Sequence, residues 1–314
     1  MKKVQTVLGS ISPDTLGITS MHEHVILHRP WYADSDANLD EVNVMTEELM
    51  YFKKAGGVSL VESSTPLNWS SKKIRQDLND LETISKKTGI NIIIATGFYI
   101  EPLINPIVYK LDSDGLVEKI TKDITEGIEE TGVKAGAIKA ATSWGYIAKV
   151  EEKVLRVAAR ASLKTGAPIF LHTSVATMGM EVLDILESEG LDLARVAVGH
   201  LDDTARIAEN FNSELGYHEA IAKRGAYVQY DSIHKTRTIP DTLRVKLIVN
   251  MIQKGYADQI TLGQDISRKK YLKIYGGYGY SYLLEEFVPA LLRNGVEEEV
   301  NKILVENPKK LLSF

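Results

Sequence analysis

Eight short, β-rich apolar runs, each followed by a longer stretch of helical periodicity, constrain this chain more than any other feature. The runs are Ile18 to Val25, Val58 to Thr65, Ile90 to Tyr99, Ala135 to Thr142, Pro168 to Ser174, Val196 to Asp203, Ala226 to Ser232 and Ile260 to Ile266. Amphipathic stretches lie between them, among them Asp40 to Ala55, Lys72 to Thr88, Leu116 to Glu130, Lys149 to Thr165 and Met178 to Glu189. Strands apolar on both faces belong in a parallel sheet covered by helices, and eight repeats are what a closed (β/α)8 TIM barrel requires. Several helical stretches stop at a glycine preceded by basic residues, as in Lys87-Thr88-Gly89 and Lys164-Thr165-Gly166. Such a glycine ends a helix in the left-handed conformation, and the cations suit the negative end of the helix dipole. No linker or composition shift divides the 314 residues, so 1–314 reads as one barrel domain, with a doubly wound open sheet as the alternative.

Composition narrows the partners. A net charge of -5, without a basic stripe carrying interleaved aromatics, gives no reason to expect nucleic acid. No apolar run is long enough to span a bilayer, and the opening MKKVQTVLGSISPD lacks the continuous apolar core of a signal peptide. A cytoplasmic protein with no membrane partner is therefore expected. The absence of cysteine removes disulfides, thiolate nucleophiles and cysteine metal sites together. Any metal must be held by nitrogen and oxygen.

In a barrel of this kind the chemistry sits at the C-terminal ends of the strands. Those ends carry His22 and His24 in the first run, Lys139 in the fourth, His172 in the fifth, His200 in the sixth and Asp265 in the eighth. His22 and His24 are two apart, so an extended strand presents both imidazoles to one side. Four of the seven histidines thus fall where barrel geometry makes them converge, and together they point to a metal centre. Lys139 lies inside the apolar segment AGAIKAA, where an unpaired ammonium would be costly to bury. Burial lowers the pKa of an amine, and a neutral amine can take up carbon dioxide as a carbamate whose two oxygens bridge two cations. The plainer alternative is a lysine that reaches solvent or pairs with an acid such as Glu62. Asp265 is expected to bind a cation and to take a proton from the attacking water, although an aspartate after a strand also serves as a helix N-cap.

His22-x-His24, Lys139 in AGAIKAAT, His172 in PIFLHTS, His200 in VGHLDD and Asp265 in TLGQD resemble the phosphotriesterase family of the amidohydrolase superfamily, and the similarity runs to Glu306-Asn307-Pro308. The resemblance implies a binuclear hydrolase: His22, His24 and Asp265 on one divalent cation, His172 and His200 on the other. N6-carboxylated Lys139 and a hydroxide would bridge them. Zinc is the usual metal of the family, and a homodimer is implied as well. The bridging hydroxide would attack a lactone carbonyl.

The family contains paraoxon-hydrolysing phosphotriesterases and several kinds of lactonase, so the loops must choose the substrate. Tyr99 matches the tyrosine that lactonase members place beside the metals. Acyl-homoserine lactonases resemble one another in an arginine directly after the seventh strand's aspartate and a long apolar loop after the eighth strand. Here Ser232 follows Asp231, and Arg268-Lys269-Lys270-Tyr271 comes soon after Asp265. Lys235 and Arg237 after the seventh strand, with Arg268 and Tyr271 after the eighth, are instead expected to clamp a phosphate. The chain looks like the branch that opens phosphorylated furanose lactones. A phosphotriesterase or acyl-homoserine lactonase on the same centre is the alternative, and a non-catalytic metal-bearing binding protein is the alternative of another class. Trp31, Tyr32 and Trp144 could line the pocket or a subunit contact.

Overall fold

The computed structural model describes residues 2–29, 34–65, 71–101 and 103–314; Trp31 and Tyr32 lie outside the described residues. An antiparallel hairpin, β1 (Val4–Thr6) and β2 (Gly9–Ile11), leads into eight strands. These are β3 (Thr19–Glu23), β4 (Ser59–Glu62), β5 (Asn91–Gly97), β6 (Ala137–Thr142), β7 (Ile169–Thr173), β8 (Val196–Val198), β9 (Tyr227–Tyr230) and β10 (Ile260–Leu262). They pair in chain order, all parallel. The last strand returns to the first: the Asp265 N–H donates to His22 O at 2.9 Å. Gly263 permits that closure, because a Cβ there would stand 2.8 Å from the His22 nitrogen. The architecture is the expected TIM barrel.

The helices α1 (Val42–Lys54), α2 (Ser71–Thr88), α3 (Ile107–Lys110), α4 (Ser113–Thr125), α5 (Lys149–Thr165), α6 (Gly179–Ser188), α7 (Phe211–Lys223) and α8 (Asp241–Gln253) follow the strands. Three short ones, α9 (Val288–Leu292), α10 (Glu297–Asn301) and α11 (Asn307–Leu312), complete the chain. The C-cap signals act as expected; Gly166, for example, takes φ 81° after α5. Among the described residues no helix is long and apolar enough to cross a membrane.

The core has two layers, and the inner one positions the site. Side chains such as Phe52, Leu78, Leu155 and Leu183 fill the space between strands and helices. Inside the barrel, Met21, Val61, Ala137, Phe170, Ala197 and Tyr227 pack together, and Val4, Leu16, Leu311 and Leu312 join them. The chain ends meet there, with Lys3 and Phe314 exchanging backbone hydrogen bonds at 3.0 and 3.1 Å. Because strand side chains alternate, the interior face that carries Ala137, Phe170 and Tyr227 carries Lys139, His172 and then Gln229 and Asp231 further along each strand. The apolar layer is therefore a floor, and the polar residues stand on it.

Candidate metal centre

Each polar side chain reaches the centre by its own local device. His22 extends from β3 while the ladder to β4 shifts register between Ser20 and Glu23. His24 follows one residue after the strand. Its carbonyl accepts the Tyr280 hydroxyl at 2.5 Å, and its Nδ1 lies 2.8 Å from the Ser64 hydroxyl. Strand β8 stops at Val198, and His200 takes a left-handed backbone, φ 61°, that turns its ring back over the barrel. Asp265 is left-handed too, at φ 47°. Such conformations cost energy in residues other than glycine and persist where the surroundings over-determine them.

The donor atoms converge. His24 Nε2 lies 3.0 Å from Asp265 Oδ1, and His22 Nε2 lies 3.9 Å from the same oxygen. His200 Nε2 stands 2.7 Å from His172 Nδ1, and Lys139 Nζ is 3.4 Å from His22 Nε2. The side chains of His22, His24 and Asp265 form a group able to hold a cation, as do those of His22, His200 and Asp231. All six residues expected to ligate metal are thus brought together. Lys139 is fully buried and faces an imidazole rather than a carboxylate. The alternative partner, Glu62, spends its oxygens on the backbone N–H groups of Val25, Ile26 and Ser64.

One functional residue escaped the list of candidates. Asp231, completely buried just past β9, accepts from His22 Nδ1 at 2.6 Å through Oδ2. Its Oδ1 accepts from His200 Nδ1 at 2.8 Å and from the His200 backbone N–H at 2.9 Å. One carboxylate therefore fixes the tautomer of two histidines and leaves both Nε2 lone pairs facing the centre, as a carboxylate behind a metal-ligating histidine does. Its signal was in the sequence, a carboxylate at the end of the seventh run. Behind it, fully buried Asp202 accepts the Ser232 N–H at 2.9 Å and pairs with Arg244 at 2.7 Å.

The protonation states suit ligation. Burial pushes the Lys139 ammonium down to about 8 and the His22 imidazolium down to about 3, the latter helped by the neighbouring charge of Lys139. Burial and the facing His200 hold His172 well below the ordinary range. For Asp265, burial acts upward, but Lys235, His24 and His22 outweigh it and keep the carboxyl well below the usual carboxylate range. For His200 burial acts downward, but Asp231 outweighs it and raises the imidazole above its ordinary value. Neutral imidazoles at His22 and His172, an ionised carboxylate and an easily deprotonated amine are the forms a cation selects.

The expected substrate contacts divide. Tyr99 stands at the centre, its hydroxyl 3.4 Å from His172 Nε2. Lys235 is bonded to Asp265 Oδ2. The Tyr271 ring faces the Lys235 nitrogen at 6.0 Å. Arg268, one short turn before Tyr271, is paired with Asp34 and Asp36 at 3.5 and 3.4 Å, and Arg237 is exposed. A cavity opens over the donor atoms and runs along the loop after β3 towards α2, past Ile26, Leu27, Ile74 and Leu78. Tyr99 lines it, whereas Lys235, Arg237, Arg268 and Tyr271 do not. Trp144 is exposed and also lies outside the lining.

Comparison with known proteins matches residues 2–312 to the model of the phosphotriesterase family. The phosphotriesterase homology protein of Escherichia coli (strain K12) is 33% identical over 303 residues, covering 96% of this chain and 99% of that protein. The N-acetyltaurine hydrolase of Xenopus tropicalis is 31% identical over 360 residues, covering 99% of this chain and 98% of that protein. Among solved structures, a lactonase from Listeria monocytogenes superposes with a TM-score of 0.91 at 29% identity, covering 99% of each chain.

Proposed function

Because this chain belongs to the phosphotriesterase family and is a metal-dependent hydrolase, we propose that it opens lactones, and phosphorylated furanose lactones in particular. The observation that carries the reading is the convergence of His22, His24, Lys139, His172, His200 and Asp265 on one buried point above the barrel floor. The donor set fits two divalent cations: it is all nitrogen and oxygen, the imidazoles of His22 and His172 are held neutral, and its lysine amine is destabilised as an ammonium. His22, His24 and Asp265 would hold one cation, His172 and His200 the other, with zinc the metal such borderline ligands suit. Lys139 Nζ would attack carbon dioxide and lose a proton, and the resulting N6-carboxylate would join the residues that hold the cations. When bound, the cations supply Lewis-acid polarisation of the scissile carbonyl and a water acidic enough to attack at neutral pH.

The remaining work falls to the chain. Asp265, ionised and held by His24 and Lys235, would accept the proton of the attacking water and return it to the departing alkoxide of the opened ring. The Tyr99 hydroxyl, beside His172, would hydrogen-bond the lactone. Asp231 keeps His22 and His200 in the ligating tautomer. Lys235 reaches Asp265 from the loop after β9, and Arg268 and Tyr271 approach from the loop after β10. None of the three lines the cavity over the donor atoms, so to bind the phosphate by charge-assisted contacts they would close on it, Lys235 turning from Asp265 and Arg268 from Asp34 and Asp36, with exposed Arg237 as an outer cation.

A second reading is favoured by several relatives that are N-acetyltaurine hydrolases, that of Xenopus tropicalis among them. N-acetyltaurine carries a sulfonate, so a hydrolase of an amide with an anionic tail would use the same centre and the same cations. The test compares kcat/KM for a furanose γ-lactone with and without its terminal phosphate, and for N-acetyltaurine, using enzyme prepared with zinc and bicarbonate. The proposal expects the phosphorylated lactone to exceed its neutral form by roughly 100-fold, since each charged contact contributes about 1.5–3 kcal/mol. Faster turnover of N-acetyltaurine than of either lactone would replace the proposal with the second reading.

A further inference from the structure

Glu23 closes β3 between His22 and His24 and is no part of the donor set. Its side chain is completely buried. Oε1 accepts the Ser20 hydroxyl at 2.5 Å and the backbone N–H of Gln264 at 3.1 Å, and Oε2 accepts the backbone N–H of Ile266 at 3.1 Å. Those two amides flank Asp265 on either side. The amide of Asp265 itself donates to His22 O at 2.9 Å. Three successive N–H groups of the loop after β10 are therefore tied to His22 and Glu23 at the first barrel strand. The residue in the middle of the three is the one with φ 47°. The tie continues as a circuit: the Gln264 side-chain amide donates to Tyr280 O at 2.8 Å, and the Tyr280 hydroxyl donates to His24 O.

We infer that Glu23 is a positioning residue, whose two carboxylate oxygens hold Gln264 and Ile266 so that Asp265 stays in its left-handed turn with its carboxylate aimed at His24. The inference rests on the reading of Asp265 as a metal ligand. The need for a carboxylate is geometric. The two amides sit on two different oxygens, and backbone N–H groups buried at such a site require acceptors. A glutamine of the same shape offers one acceptor and turns an NH2 towards the other partner. An aspartate keeps two acceptors and shortens the reach by one methylene.

The test uses the holoenzyme prepared with zinc and bicarbonate and follows cations retained per chain during chelator titration, amide exchange at Gln264 and Ile266, and thermal unfolding. Glu48 is the control, since it too is completely buried and accepts a backbone N–H, that of Ile274 at 2.7 Å, and it bonds neither to a donor residue nor to the Gln264–Ile266 amides. Glu23→Gln is expected to release one of its two cations at roughly 10- to 100-fold lower chelator concentration, the scale of losing a group that orients a ligand, while the second is retained. Exchange at Gln264 and Ile266 should quicken. Glu48→Gln should lower the unfolding temperature with cation retention unchanged. Glu23→Asp, with both acceptors kept, should retain the cation better than Glu23→Gln and serves if the latter does not fold. Wild-type retention and exchange in Glu23→Gln would overturn the inference. So would loss of both cations strictly in step with unfolding. A wild type that carried no cation would count against the proposed function alone, and exchange at the two amides would still decide the part played by Glu23.

Discussion

Replacing Asp231 with asparagine should weaken the centre's hold on one cation and leave the barrel intact. Among the described residues Asp231 Oδ1 takes two donors, the His200 side chain and backbone, while Oδ2 takes only His22 Nδ1. The single oxygen of an asparagine should therefore settle on the His200 side, and its NH2 should face His22 Nδ1 across what was a 2.6 Å contact. Two donors cannot share that line. His22 must then carry its proton on Nε2, the atom that faces Lys139 and Asp265, and a protonated nitrogen cannot ligate. The loss is one charge-assisted hydrogen bond, about 1.5–3 kcal/mol, together with an inverted tautomer. At about 1.4 kcal/mol per decade this gives roughly 10- to 100-fold weaker binding of the cation assigned to His22, His24 and Asp265. The cation on His172 and His200 should be affected much less. Competition with a chelator, read by metal analysis, measures both affinities, and nitrogen-detected NMR of the histidines reads the tautomer directly. Retention of both cations within about threefold of wild type, with His22 still protonated on Nδ1, would refute the reasoning.

Three further outcomes are expected. Asp265→Asn should keep the fold but lose roughly 100- to 10,000-fold in kcat, the range of a lost proton acceptor, whereas wild-type kcat would remove Asp265 from that role. Phe170→Ala, in the barrel floor at 1% exposure, should lower unfolding free energy by about 3–5 kcal/mol in denaturant titration; a change below 1 kcal/mol would mean that the floor repacks. His218 is buried against Thr204, Leu201 and Tyr230, and burial pushes it down to about 4 from an ordinary 6.5. Its contribution is therefore complete above pH 6.5 and is lost as pH falls towards 4, because the unfolded chain takes up the proton first. The loss amounts to about 3 kcal/mol. A His218→Gln variant should show a shallower decline over that window, and an identical slope would refute the assignment.

The barrel was legible because both of its periodicities are written in the chain. Strands buried on two faces read as continuous apolar runs, and Lys149 to Thr165, read as a helix from its spacing, is α5 without change at either end. Runs overshot where strands end for three-dimensional reasons. Val196 to Asp203 looks like one strand, yet β8 stops at Val198: Gly199 makes a last bond to Leu171 O at 2.9 Å, and His200 then turns left-handed. The β1–β2 hairpin went unread, since three-residue strands carry too little alternation to register.

The donor atoms were equally legible: histidines and one aspartate at strand ends stand out against apolar neighbours. What supports them was harder to see. Asp231 and Glu23 are single carboxylates whose purpose depends on partners far away in sequence, such as the 209-residue separation between His22 and Asp231. The basic loop residues were visible as charges, but their partners were not. Arg268 leans on Asp34 and Asp36 from the other end of the chain, and Lys235 on Asp265. Charge alone does not tell whether a cation faces a substrate or an acid of its own chain.

The most direct test of the account is metal analysis of the wild type and Lys139→Ala, each purified with zinc and bicarbonate. Two tightly bound cations per wild-type chain are expected, with a carbamate carbon signal when labelled bicarbonate is supplied, and loss of both the signal and the metal in the variant. Fewer than one tightly bound cation per wild-type chain, or a Lys139→Ala protein that holds metal as firmly as the wild type, would contradict it.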